Sequence, residues 1–310
     1  MKNVKVEIVS PVHNRRELTL QFLRSISRID RDNLDLHTII VDDGSTDGTA
    51  EAIAKDFPHV EIIEGDGNLW YTGGTNRGIK AALRHNPEYI LCVNDDSILE
   101  GKCVRNLIEC AKKYPHSVVG ATLLSWNTPH KLFQVSPEWQ TKLGGWHHWY
   151  QQTIWTIPTK PWKVDIIVGN CVLFPVQAIR EVGLMDEKRF VQYGDAEYSP
   201  RMRRRGWQLL IEPRARVFCK PNDLPPKLRD MPIKMMLKAL LFEPHNVHSL
   251  RRRLNTNLFG APTKLQGVAA FVIFFARLIA RRNTESPAFG AREIEPPLAE
   301  TFADKVIDKP

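Results

Sequence analysis

Apolar positions in the first two thirds of the chain switch repeatedly between two periods. Val4–Ser10, Leu36–Val41, Val60–Ile63 and Tyr89–Val93 read as strands. Between them, Arg16–Ile29, Thr46–Asp56, Thr75–His85 and Gly101–Tyr114 have helical spacing. Such alternation with short links predicts a mostly parallel sheet covered on both faces, whose ligands gather at the carboxyl ends of the strands. The pattern breaks between Ser125 and Val164, a stretch with six tryptophans and the pair Gly144-Gly145. It resumes with strands at Val164–Val168 and Cys171–Phe174 and helices near Gln177–Val182 and Glu197–Arg205. Two closing strands follow, Gln208–Ile211 and Ala215–Phe218. After Pro221 a linker leads into a basic, Met- and Leu-rich helical region to about Arg282, and from Asn283 the sequence predicts a loosely ordered tail. The expected division is residues 1–222 as an α/β domain and 223–310 as a helical extension.

Composition narrows the classes. With 310 residues, 43% hydrophobic and 25% charged, the chain can bury a sizeable core, and wholesale disorder is excluded. The apolar run Gly267–Ala276 is too short for a bilayer, which needs about 20 residues. No secretory pattern opens the sequence, and five cysteines without a CxxC pair suit free thiols, so a cytoplasmic setting is expected. The net charge of +8 is localised: between Met231 and Arg282 nine Lys and Arg face one acid, Glu243, and the rest is balanced. Nucleic acid is therefore not the expected partner.

Four polar segments carry candidate chemistry. Ser10 to Arg15 (SPVHNR) follows the first strand, and Val41 to Thr49 (VDDGSTDGT) follows the second. Helix capping would explain Ser45 or Thr46 but not both Asp42 and Asp43, which can accept hydrogen bonds from a base or a ribose. Gly67 to Gly78 (GNLWYTGGTNRG) places Gly73-Gly74 before a helix, either as a plain turn or as an approach for an anionic group. After the hydrophobic strand Tyr89–Val93 come Asn94, Asp95 and Asp96, hard oxygen ligands suited to Mg2+ or Mn2+, or else a solvated turn.

In this order, together with VGNCVLFPVQAIREVGLMDEK and YGDAEYSPRMRRRGW, these segments resemble the family 2 glycosyltransferases over about residues 4 to 220. The resemblance implies the GT-A fold, a Rossmann-like, mixed but mostly parallel sheet flanked by helices, here with a C-terminal helical extension. It implies nucleotide contacts by Pro11, His13, Asn14, Arg15, Asp42 and Asp43. Donor contacts by Trp70, Gly73, Gly74, Asn76, Arg77, Asn94 and Asp95 follow from it as well. The usual Asp-x-Asp is Asn94-Asp95-Asp96, which puts a divalent ion, Mg2+ or Mn2+, mainly on Asp96 with Asp95 beside it. The usual Glu-Asp pair is Gly194-Asp195, so Asp195 is the expected general base and Glu197 the second candidate. Pro200 suggests that the following helix begins close to it and leaves Asp195 in the lead-in. Many relatives place a histidine after the last strand, where this chain has Cys219-Lys220.

The implied reaction is inverting transfer of a sugar from a UDP- or dTDP-type donor to a glycan or lipid-linked acceptor in surface polysaccharide synthesis. Trp146, Trp149 and Trp155 are acceptor candidates against the alternative of core packing, and Gly144-Gly145 is a candidate lid hinge. Ile233–Phe242 and Leu265–Ile279, flanked by Lys and Arg, suit an anionic membrane surface, which extends the expectation to a peripheral location on the inner membrane face; a helical cap or dimer contact is the alternative. Two other functions stay open, a nucleotidyltransferase of similar fold and an inactive sugar-nucleotide-binding scaffold. The first expects a Gly-rich, Arg-containing loop where Pro-Val-His-Asn stands.

Overall fold

The computed structural model describes residues 3–134, 137–147, 152–220, 226 and 228–280. Strands β1 (Val4–Val12), β2 (Leu34–Asp42), β3 (Glu61–Glu64) and β4 (Tyr89–Val93) lie parallel in the order β4-β1-β2-β3. The crossovers are α1 (Arg16–Ser27), α2 (Thr49–Asp56) and α3 (Trp70–Arg84). Beyond β4 come β5 (Ser97–Leu99), α4 (Cys103–Lys113), β6 (Ser117–Ser125), β7 (Leu132–Gln134) and a small hairpin, β8 (Glu138–Gln140) with β9 (Gly145–His147). Then follow β10 (Trp162–Lys163), β11 (Cys171–Pro175), α5 (Val176–Val182), α6 (Asp195–Arg204) and β12 (Gln208–Cys219). The helices α7 (Ile233–Leu241), α8 (Leu250–Gly260) and α9 (Lys264–Ile279) complete the described chain.

One sheet runs β10-β12-β6-β11-β4-β1-β2-β3, with β5 on β12 and β7 on β6. β11 is antiparallel to both β4 and β6, so the sheet is mixed but mostly parallel. Successive residues of a strand face opposite layers, and Ile8 and Val9 of β1 divide accordingly. Ile8 joins Phe22, Leu23 and Leu107 under α1 and α4, whereas Val9 joins Ile79, Tyr198 and Met202 under α3 and α6. Both layers are mainly apolar, with Glu7 of β1 and Glu212 of β12 as buried charged exceptions, and the candidate Asp residues lie at the strand ends. The five cysteines are buried and unpaired.

Several expectations need correction. β6 has no counterpart among the expected strands: it is buried on both faces, the usual state of an interior strand, and so shows no alternation. Val164–Val168 is irregular, with Ile167 packed over Gly120 of β6. Gln208–Ile211 and Ala215–Phe218 are one strand, β12, whose register on β6 shifts between Glu212 and Arg216. Gly144 and Gly145 are not free to hinge: Gly144 abuts Phe274 of α9, its carbonyl accepts from Asn257 of α8 at 3.3 Å, and Gly145 also abuts Asn257.

Helices α8 and α9 therefore pack on the α/β body. Phe259 meets Phe190 edge-on at 5.9 Å, and the Arg204 guanidinium donates to the Ala261 carbonyl. The expected loosely ordered tail, from Asn283, lies outside the described residues, as does most of the expected linker after Pro221.

Candidate active site

The ends of β1 and β2 are tied to each other by polar side chains. Asn14, in the left-handed region at φ 52°, donates its backbone N–H to Ser45 Oγ and accepts from the Thr46 N–H. His13 Nδ1 sits 2.7 Å from the Asp43 carbonyl. Asp42 accepts from the Ser45 N–H and is buried. Asp43, also buried, accepts from the backbone N–H groups of Gly67 and Trp70, both at 2.9 Å. The DDGS turn thus holds the start of α3 in place.

Helix α3 begins at Trp70, not at Thr75, so Gly73 and Gly74 lie inside it rather than in a turn before it. A Cβ on Gly74 would come within 2.8 Å of the Pro11 Cβ. The glycine therefore lets α3 approach β1, and Gly73-Gly74 forms no turn before the helix, neither a plain one nor one approaching an anionic group. Gly74→Val should destabilise the fold by about 1–3 kcal/mol through overpacking, measurable by urea denaturation. Asn76 is also occupied: its amide donates to the Met185 carbonyl and Glu187 and accepts from the Met185 N–H. It anchors the loop before α6 and is not free for a diphosphate. Arg77 is exposed on α3. Trp70, 45% exposed and at φ 55°, stacks on His245 from the extension at 5.6 Å.

After β4, Asp95 and Asp96 are both buried, and one Arg15 nitrogen reaches them at 3.2 and 3.0 Å. Burial raises Asp95 to about 6, with Arg15 opposing and the neighbouring Asp96 adding to the rise; burial raises Asp96 too. Two carboxylates thus share one half-exposed guanidinium. Asp96 Oδ1 and Asn94 Oδ1 are buried without a hydrogen-bond partner. Orphaned buried oxygen atoms on residues two apart, beside excess negative charge, fit a hard divalent cation such as Mg2+ or Mn2+. Lys220 also offsets Asp96 electrostatically, and Cys219 is buried with its thiol pushed up by desolvation.

Asp195 is the first residue of α6. The expectation that Pro200 marks the helix start is incorrect. The helix begins five residues earlier and tolerates Pro200 at the loss of one hydrogen bond, to the Ala196 carbonyl. Asp195 Oδ2 accepts from the Gly169 N–H at 3.0 Å, and Tyr71 donates its hydroxyl to the Gly169 carbonyl at 3.1 Å. A Cβ on Gly169 would come within 2.6 Å of the Tyr71 oxygen, so only glycine allows this approach. The next residue, Asn170, accepts from the Asn94 N–H at 3.0 Å. The Gly169-Asn170 segment therefore bridges Asp195 to the strand-end carboxylates, a link that the VGNC segment carried unassigned. Burial raises Asp195, opposed by the N–H groups of Gly169 and Ala196 and by Arg252.

Glu197 is a different carboxylate. It is buried, accepts from the Asp186 N–H at 3.1 Å and pairs with Arg201 at 2.9 Å. Its role is to hold the loop before α6, which leaves Asp195 as the candidate base.

The extension also enters the site, which its sequence did not reveal. Arg252 of α8 covers the Tyr193 ring at 3.7 Å and acts electrostatically on Asp195. Arg253 lies over Phe274 and is pushed down to about 10 by burial, with Arg252 adding to the shift. Among the acceptor candidates, Trp146 is half-buried edge-on against Trp139, and its Nε1 is buried without a partner. Gly260 separates that nitrogen from the Ala196 carbonyl, next to Asp195. Trp155 is 74% exposed and stacks on His130. Trp149 lies outside the described residues.

Residues 7–183 match the profile described as glycosyl transferase family 2. An N-acetylglucosaminyl-diphospho-decaprenol L-rhamnosyltransferase of Mycobacterium tuberculosis is 23% identical over 58% of this chain and 65% of its own. TarS, a poly(ribitol-phosphate) beta-N-acetylglucosaminyltransferase of Staphylococcus aureus, is 21% identical over 85% of this chain and 47% of its own. The chain thus spans less than two thirds of the length of these curated relatives. A crystal structure of GalNAc-T7 with UDP, GalNAc and Mn2+ superposes with a TM-score of 0.59 at 14% identity, covering 92% of this chain and 58% of that one. The crystal structure of S. aureus TarS 1-349 superposes with a TM-score of 0.54 at 13% identity, covering 93% and 76%. At such identities the superpositions speak for the fold, and the profile match for descent: the chain belongs to glycosyl transferase family 2 and has the GT-A fold.

Proposed function

We propose that the protein is an inverting glycosyltransferase that moves a sugar from a UDP- or dTDP-type donor to a hydroxyl of a glycan or lipid-linked acceptor in surface polysaccharide synthesis. The observation that carries this reading is the bridge from Asp195 through Gly169-Asn170 to Asn94, Asp95 and Asp96. It fixes a proton acceptor relative to a cluster of cation-ready oxygens.

In the proposed reaction Asp195 takes the proton of the acceptor hydroxyl. That oxygen forms a bond to the anomeric carbon from the face opposite the diphosphate. The bond from that carbon to the leaving oxygen breaks with its electron pair, and configuration inverts. Asp96 and Asp95, with Asn94, would hold Mg2+ or Mn2+, and such an ion offsets charge on the leaving diphosphate. His13, Asn14, Asp42 and Asp43 line the nucleotide end, while the buried indole N–H of Trp146 is turned toward Gly260 and the backbone of Ala196 rather than toward an acceptor. A thermal-shift screen of nucleoside diphosphates should show stabilisation by UDP or dTDP that depends on Mn2+ or Mg2+. Stabilisation by none of them contradicts the reading.

Arg252 helps to keep Asp195 ionised. Its replacement in Arg252→Gln removes a positive charge, so the carboxyl rises further and the acid limb of the kcat/KM profile moves to higher pH. An unmoved limb separates Arg252 from the base.

Among the described residues no helix is long and apolar enough to cross a membrane. Leu265, Val268, Val272, Phe275 and Ile279 nevertheless form an exposed stripe along α9, and Ile233, Leu237 and Leu241 form one along α7. With Lys234, Lys238 and Lys264 nearby, these faces suit the surface of an anionic bilayer, where a lipid-linked acceptor resides. Co-sedimentation with vesicles should rise with phosphatidylglycerol content and fall in Val272→Glu. Binding that ignores both changes removes the membrane from the proposal.

A further inference from the structure

The geometry points to a second metal site, of transition-metal type and best suited to Zn2+, built from Glu7, His37 and His85 with Glu61 behind them. These residues come from four places that only the fold brings together. Glu7 is in β1 and His37 is its register partner in β2, while His85 follows the last turn of α3 and Glu61 begins β3. The metal-binding atoms of Glu7, His37 and His85 all lie within 4.8 Å of one another.

Glu7 poses the problem that the cluster solves. Its carboxylate is fully buried within the sheet, where an uncompensated charge is costly. His37 Nδ1 is 2.6 Å from Oε2, and His85 Nδ1 is 3.2 Å from Oε1. The second contact has ion-pair distance only, and Oε1 is buried without a hydrogen bond. Both imidazoles turn Nδ1 toward the same carboxylate, with their rings nearly perpendicular at 5.0 Å. Both turn Nε2 the other way, toward Glu61 Oε2, at 4.0 and 3.6 Å. That is the arrangement of a metal bound by two Nδ1 atoms and a carboxylate oxygen, with an outer carboxylate receiving the remaining N–H groups. Lys5 Nζ fixes the backbone of the third ligand by donating to the His85 carbonyl at 2.7 Å.

The donor set decides the metal. Two imidazole nitrogens and one carboxylate select Zn2+, or Co2+ as its probe, over Mg2+ and Mn2+. The imidazoles are about one-third exposed, so water can complete a tetrahedron. The site is remote from the donor cleft: Glu7 precedes the end of β1 at Val12 by five residues, roughly 16 Å of strand. Its function is to clamp β1, β2 and β3 to the end of α3, the elements that carry Asp42, Asp43 and Trp70.

The test is independent of sugar transfer. The full chain, stripped with a chelator, is titrated with Co2+ and then Zn2+. The expected result is the intense visible absorption of four-coordinate Co2+, displaced by one equivalent of Zn2+, with a rise in Tm on Zn2+ binding. His85→Asn should abolish the absorption, and Glu61→Gln, a milder change at the partly exposed outer carboxylate, should weaken Zn2+ binding about 10- to 100-fold. Only the weak spectrum of six-coordinate Co2+, or an unchanged spectrum in folded His85→Asn, overturns the assignment. So does Zn2+ affinity that is unaltered in Glu61→Gln.

Discussion

Asp195→Asn lowers kcat for sugar transfer by about 100- to 10,000-fold, the usual contribution of a general base, and leaves the donor's KM nearly unchanged. The amide oxygen of Asn can still accept from the Gly169 N–H, so the bridge to Asn94 is retained while the proton acceptor is lost. A Glu197→Gln variant behaves differently. It weakens the hold on Asp186 and Arg201, so thermal stability falls ahead of chemistry. Steady-state kinetics beside melting curves separates the two carboxylates. Equal loss of kcat in both variants with intact stability sinks the assignment of Asp195.

The second large effect concerns the cation. Asp96→Ala removes a buried oxygen ligand, and transfer should fall by about 100-fold or more, since charge stabilisation by a bound ion is worth several kcal/mol. Stability should move the other way. Burial, with Asp96 adding to it, raises Asp95 to about 6, so the folded chain binds that proton more tightly than the unfolded chain. A raised carboxyl contributes stability at low pH that is lost as pH climbs from about 4 through about 6. Asp96→Ala removes part of that rise, so without metal the variant gains in Tm relative to the native chain across this window. Melting curves at several pH values, with and without Mn2+, check both signs. A variant that keeps full Mn2+-dependent transfer contradicts the cation site.

The central sheet and the order of the strand-end motifs were legible because they rest on local pattern. Tyr89–Val93 is apolar without interruption and forms β4 with those limits, which puts Asn94 to Asp96 at its carboxyl end. What the sequence hid depends on contacts between distant segments. Gly73-Gly74 has the composition of a turn, and only its packing against Pro11 shows why glycine is needed inside α3. Trp70 starts that helix from a left-handed conformation that Asp43 holds, and residue type gives no warning of it. Pro200 misled because tertiary packing can override the local cost of a proline in a helix, and Tyr198 and Met202 of α6 are buried in the core.

The basic extension taught a similar lesson. Its charge suggested one solvated or membrane-facing surface, yet Arg252 and Arg253 turn inward onto Tyr193 and Phe274. Basic residues that do face outward include Lys234, Lys238, Arg251 and Lys264. Where a long cationic side chain points is set by the rings available to it, and those lie far away in sequence.

The proposal that Asp195 and the strand-end carboxylates form one catalytic unit is tested most directly by release of nucleoside diphosphate from a panel of UDP- and dTDP-sugars. Acceptor extract or water serves as the attacking hydroxyl. The native chain should release diphosphate from at least one donor with Mn2+ and lose that activity with EDTA. Asp195→Asn should still bind the same donor with Mn2+ but release almost nothing. Release by Asp195→Asn at the native rate, or native release that EDTA leaves untouched, contradicts the account.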